Sequence, residues 1–150
     1  MVLDGVSAQV RDKQGGGSSL TAQAALKALG QQPYLVCHAG YLTGRLALVA
    51  QVPQPMVRAA REQAHLDICE LFAFAAPAMS TVPTPTGLAR ALGLNPDEND
   101  AENVALVARE LLRRLAARDY PNSREALHVA HFLDRGKWPW AARAIGALGD

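Results

Sequence analysis

The chain has 150 residues, 49% of them hydrophobic, and 15 basic against 14 acidic side chains give a formal net charge of +1. That length buries one core and leaves little for a second full domain, while the near-neutral balance predicts no polyanion partner from charge alone. Cys37 and Cys69 form neither a metal-ligand pattern nor a disulfide framework. With no basic-then-apolar leader and no apolar run near the roughly 20 residues that span a bilayer, a soluble, reducing, cytoplasmic setting is expected.

Mild alternation of Val2, Val6, Ala8 and Val10 predicts one short strand over Met1–Arg11, followed by a flexible turn at Gly15–Ser19. Ser19 is the expected N-cap of a helix over Leu20–Leu29, with Gly30 as its stop. Pro33–Cys37 reads as a strand entering a helix near Tyr41–Ala50, which Pro53 and Pro55 break. A short helix over Met56–Ala64, a strand at Leu66–Ile68 and an apolar helix over Glu70–Ala75 follow. After a loop from Pro77 to Pro85, Thr84 and Pro85 supply the N-cap and first residue of a helix that Gly93 stops near Leu92.

The strongest pattern comes next. Val104, Val107, Ala108, Leu111, Leu112 and Leu115 form one apolar stripe on a helix that Asp100 is placed to cap. Acids at its start (Asp97, Glu98, Asp100, Glu102) and Arg113, Arg114 and Arg118 at its end match the helix dipole. Helices near Ser123–Asp134 and Trp138–Leu148 complete the chain. Strands followed by crossover helices indicate an α/β fold with a short sheet and a helix-rich C-terminal half.

Several chemical patterns fail on inspection. Gly136-Lys137 is followed by Trp138, and His131 stands where a phosphate-binding loop needs glycine. His128, His131 and Asp134 share helical spacing but lack an evident fourth ligand. On a strand, Cys37 and His38 point to opposite faces, so Cys37 reads as a small buried residue rather than half of a thiol dyad. Trp138 and Trp140, with Lys137 and Arg143, have the residue types for base stacking beside phosphates, yet packing of the last helix is the simpler expectation. Tyr34 and Tyr41 are expected in the core.

Three segments in fixed order carry a family resemblance: PYLVCHAGYLTGRL (Pro33–Leu46), LDICELFAFAAPAMSTVPTPTGLARALGL (Leu66–Leu94) and DAENVALVARELLRRL (Asp100–Leu115). Their order resembles the later part of the exonuclease-like N-terminal region of some bacterial DinG-type ATP-dependent DNA helicases. Exonucleases of that DEDD group use four carboxylates to hold two divalent metals that stabilise the incoming and leaving oxygens. The matched positions here have mostly lost them. At the first motif, Val6 replaces Glu, and the stretch before Pro33 is too short for the family's three-strand opening, so the chain is expected to begin inside it and Asp4 to be no counterpart. At the second, His38 is kept, Ala39 replaces Asn, Leu42 replaces Phe, and Thr43 stands at the metal-ligating Asp. At the last, Asn95 takes the His position and Asp100 survives. The segment Leu66–Leu71 resembles one that is structural in the family. Tyr120-Pro121-Asn122 and Lys137–Ala141 resemble the connector toward the helicase motor.

The resemblance therefore implies a trimmed ribonuclease-H-like fold, with a degenerate exonuclease-like domain over 1–119 and a helical connector over 120–150. It implies a non-catalytic accessory domain whose vestigial positions are His38, Thr43, Asn95 and Asp100, with no cofactor in this chain and ATP and Mg confined to a motor outside it. The implied partners are that motor in cis and DNA, contacted through Arg45, Arg113, Lys137 and Trp138. Two alternatives stand beside it: an active metal-dependent 3'-5' exonuclease using acids such as Asp67, Asp97 and Asp100, and a protein-interaction module presenting the apolar strip Leu71–Ala78.

Overall fold

The computed structural model describes residues 1–12 and 14–149. It is an α/β arrangement of small sheets with helices on both faces. Strands β1 (Val2–Asp4), β2 (Ser7–Arg11) and β3 (Gly17–Thr21) form an antiparallel meander, with Val2 opposite Gln9 and Ala8 opposite Leu20. A second pair, β4 (Leu35–Val36) and β5 (Leu66–Asp67), is parallel, Val36 facing Asp67. The Met1 amine donates to the Leu35 carbonyl at 2.6 Å, which brings the meander and the parallel pair side by side.

The opening corrects two sequence expectations. Three strands fit within Met1–Thr21, where one was expected, and the glycine–serine run is mostly strand rather than turn. The Asp4-Gly5-Val6 segment is the β1–β2 turn, closed by Gly5 at φ 58°, a region glycine enters without a Cβ clash.

Helix α1 (Ala22–Gln31), capped by Thr21 and not Ser19, follows β3, and α2 (Ala39–Ala50) and α3 (Gln54–Glu62) lie between β4 and β5 in the chain. Gly30 lies inside α1 and does not end it. After β5 come α4 (Ile68–Ala75), α5 (Pro85–Ala91), α6 (Asp100–Leu115), α7 (Ser123–Arg135) and α8 (Ala141–Leu148). Thr84 caps α5 as expected, its hydroxyl accepting from the Gly87 amide. A Cβ at Gly87 would lie 2.5 Å from the Val82 carbonyl oxygen, so the PTPTG turn excludes any larger residue there.

Strand alternation separates two cores. Met1, Ala8 and Val36 face a cluster with Leu26 and Leu29 of α1, Leu42 and Leu46 of α2 and Ala60 of α3. Val2 and half-buried Leu35 turn the other way, toward Ile68, Leu71, Leu88, Val104, Leu111 and Trp140. The second cluster contains the predicted α6 stripe, of which Val104, Val107, Ala108, Leu111 and Leu115 are buried. Burying five such side chains contributes on the order of 10 kcal/mol of transfer free energy. Ala130, Trp140 and Ala144 pack into the same cluster, so the expected connector shares its core with α4–α6.

In the strip Leu71–Ala78, Leu71, Phe72, Ala75 and Ala76 are buried in this core, while Ala73, Pro77 and Ala78 are exposed. Tyr41, expected inside, is 56% exposed and meets the His38 ring edge-on, whereas Tyr34 packs against the first cluster. Among the described residues no helix is long and apolar enough to cross a membrane.

Candidate functional site

The polar centre of the molecule lies where the parallel strands end and two helices begin. Asp67, the last residue of β5, is buried and accepts from three backbone amides. Its Oδ1 takes the His38 amide at 2.9 Å and the Cys69 amide at 2.9 Å, and its Oδ2 takes the Ala39 amide at 2.7 Å. Helix N-termini leave unpaired N–H groups, and this one carboxylate accepts from one in α2 (Ala39) and one in α4 (Cys69). The Trp140 indole donates to the Asp67 carbonyl at 2.7 Å, locking the junction from α8. Resemblance marked this segment as structural, and its acid works as a double cap.

His38 sits at φ 56° as the N-cap of α2, its Nδ1 accepting from the Tyr41 amide at 3.3 Å. Its side chain is exposed. A non-glycine residue in this region is uncommon, and the Asp67 bond to its amide holds it there. One turn on, Thr43 is 1% exposed. Its hydroxyl donates back to the Ala39 and Gly40 carbonyls at 2.9 and 3.2 Å, so the oxygen is turned into its own helix. Thr43 lines a cleft of about 330 Å³ whose walls include Arg61, His65, Asp67 and Glu70.

On the wall of this cleft, His65 is largely buried. Its Nδ1 accepts from the Tyr34 amide at 3.1 Å, which leaves Nε2–H to donate to the Ala60 carbonyl at 2.8 Å. Burial holds its pKa below the usual histidine value. Glu70 is pushed up by burial and by the neighbouring Asp67, against a bond from the Trp138 indole.

The other motif positions open elsewhere. Asn95 is exposed in the connection before α6. Asp100 is the first residue of α6 and not its cap; Asn99 caps, accepting from the Ala101 amide at 2.9 Å. Asp100 Oδ1 accepts from the Thr86 hydroxyl at 2.9 Å and the Asn103 amide nitrogen at 3.2 Å. Asp97 accepts from the Asn99 amide at 2.8 Å, and Asp4 from Gln9 at 2.9 Å. Asp4, Asp97, Glu98 and Asp100 line one cleft of about 400 Å³. His38 and Thr43 do not line that cleft. Among the described residues no three His, Cys, Asp or Glu side chains are grouped to hold a metal ion; the trio Asp67, Asp97 and Asp100 forms no such group, nor do His128, His131 and Asp134.

The four proposed DNA-contacting residues lie on α2, on α6 and in the α7–α8 turn, which holds both Lys137 and Trp138. Arg45 is exposed on α2, and Lys137, at φ 61°, is exposed in the α7–α8 turn. Arg113 makes a paired bond to Glu110 at 2.7 and 2.8 Å. Trp138 packs against Phe74 with ring centroids 5.0 Å apart and donates to Glu70 at 3.1 Å. Trp138 thus packs the C-terminal segment against α4, and Trp140 is buried, as the simpler expectation held.

One feature escaped the sequence altogether. The sulfurs of Cys37 and Cys69 lie 3.7 Å apart, one just beyond β4 and the other in the first turn of α4. Only the pairing of β4 with β5 brings them together, and two-residue strands leave no periodic signal.

Compared with known proteins, the chain matches no protein-family model, no curated protein and no solved structure.

Proposed function

We propose that the chain is a non-catalytic accessory domain of a DinG-like ATP-dependent DNA helicase, derived from a ribonuclease-H-like exonuclease and serving to position or stabilise the motor on DNA. The observation that carries this reading is Thr43. It stands where the family's metal-ligating Asp would be, it is buried, and its hydroxyl is occupied by the Ala39 and Gly40 carbonyls. A hard dication needs several anionic oxygens from different elements, and Arg61 lines the same cleft. The order of elements also supports the reading: a three-strand meander beside a parallel pair, with a helix start at His38 and another at Asp100.

The cleft lined by Asp4, Asp97, Glu98 and Asp100 is the observation that favours the nuclease alternative. One assay decides between them. The purified chain, given labelled single-stranded and duplex DNA with magnesium or manganese, should leave both intact. Metal-dependent degradation abolished by Asp100→Ala would overturn the proposal. A phosphate-binding loop encoded downstream of Asp150 would support the helicase context.

A further inference from the structure

We propose that Cys37 and Cys69 form a reversible intramolecular disulfide when a hydroperoxide reaches the pair, making this strand-end junction an oxidation site. The inference does not rest on the functional reading above. Their sulfurs are 3.7 Å apart, and closing to the disulfide length of about 2.05 Å needs side-chain rotation over less than 2 Å. The backbones that carry them are already held together. Asp67 accepts from the amide of His38, next to Cys37, and from the amide of Cys69 itself, while β4 and β5 are paired through Val36 and Asp67.

The two thiols are not equivalent. Cys69 lies in the first turn of α4, where N–H groups and the dipole favour an anion. A bond from the Cys37 thiol favours the Cys69 thiolate, against burial and the nearby Asp67. Cys37 keeps its proton, held up by that bond and by burial. Beside Cys69, a surface pocket of about 370 Å³, walled by Phe72, Met79, Pro83 and Leu88, admits a small oxidant.

The steps balance. The Cys69 thiolate attacks one peroxide oxygen; an S–O bond forms, the O–O bond breaks, and the departing hydroxide takes a proton to leave as water. The Cys37 sulfur then attacks the sulfenic sulfur; the S–S bond forms, the S–O bond breaks, and hydroxide leaves with the Cys37 proton as a second water. Two thiols lose two electrons and one hydroperoxide gains them. A dithiol reductant reverses the bond by exchange.

The test is intact-mass measurement of the full chain treated with hydrogen peroxide and quenched with N-ethylmaleimide. The expected product is lighter by two hydrogen atoms and carries no maleimide, and dithiothreitol restores two maleimide-reactive thiols. Cys37→Ser should stop at a dimedone-trappable sulfenic acid on Cys69, and Cys69→Ser should react about tenfold more slowly than the parent chain. Retention of two maleimide adducts, disulfides formed only between chains, or direct conversion to sulfinic acid would each overturn the proposal. Equal rates for Cys69→Ser and the parent would overturn the assignment of Cys69 as nucleophile. The parent-chain measurement stands even if either variant fails to fold.

Discussion

At the start of α4, Asp67 is buried and accepts from amides that lie up to 29 residues away. At the start of α6, Asp97 and Asp100 lie in a more exposed connection and mostly accept from near neighbours, with Thr86 the farthest at 14 residues. Both junctions follow from the same need, to satisfy the amides that a helix start leaves unpaired. They differ in what the carboxylate connects. Asp67 fastens two strands, two helices and Trp140 into one unit, whereas the acids near α6 organise a surface turn. In the reading proposed above, the first is scaffold that persists and the second keeps Asp100, the family acid that survives.

The sharpest way to break this comparison is to remove the acids. Asp67→Ala would leave three part-buried amides without their acceptor and should cost about 4 kcal/mol, toward the low end of roughly 1–3 kcal/mol for each unsatisfied group. Asp100→Ala should cost about 1 kcal/mol, typical of a partly exposed local bond. Urea denaturation measures both. Equal losses would mean that Asp67 is no more central to the fold than Asp100. A domain total of about 5–15 kcal/mol makes the larger loss enough to populate the unfolded chain.

His65 tests whether the buried junction as a whole depends on neutral polar groups. Its Nδ1 must stay unprotonated to accept from Tyr34, so His65→Ala should cost about 2–3 kcal/mol. The sign of the pH effect follows from the lowered pKa. Below the ordinary value of 6.5 the unfolded chain binds a proton that folded His65 resists, so stability is present above that pH and is lost as pH falls through the depressed folded value. Denaturant midpoints measured from pH 7.5 down to 5 should therefore fall in the parent. The fall should be smaller in His65→Ala.

The legibility of these regions from sequence differs for a physical reason. Helix α6 shows itself because its buried residues recur at helical spacing and its charges follow the dipole. Thr84 as a cap was readable because capping chemistry is local. Strand β3 was not, since Gly17, Ser18 and Ser19 are exposed and are held by their ladder to β2, a pairing their composition opposes. The candidate site was half visible. Resemblance marked His38, Thr43 and Asp100, but the double cap at Asp67, the buried His65 and the Cys37–Cys69 contact each depend on parallel pairing between segments about 30 residues apart.

On α6 itself, a smaller contrast separates arginines that hold the fold from those open to other roles. Glu110 accepts from both Arg113 and Arg114, which hold its carboxyl down at about 2. A depressed carboxylate contributes stability above its unfolded value of 4.5 that is lost as pH falls toward about 2. Glu110→Gln should therefore cost about 1 kcal/mol at pH 7, with the gap to the parent closing across that acid window. Arg114 also donates to the Leu92 carbonyl at 2.7 Å, tying α6 to the end of α5, so Arg114→Ala should match or exceed that loss. Arg113 has a side chain 69% exposed and, among the described residues, bonds along its own helix to Glu110. Its removal should leave the urea midpoint nearly unchanged. A measured weakening of single-stranded DNA binding by Arg113→Ala, steeper at low salt, would then report a contact with phosphate rather than a damaged fold.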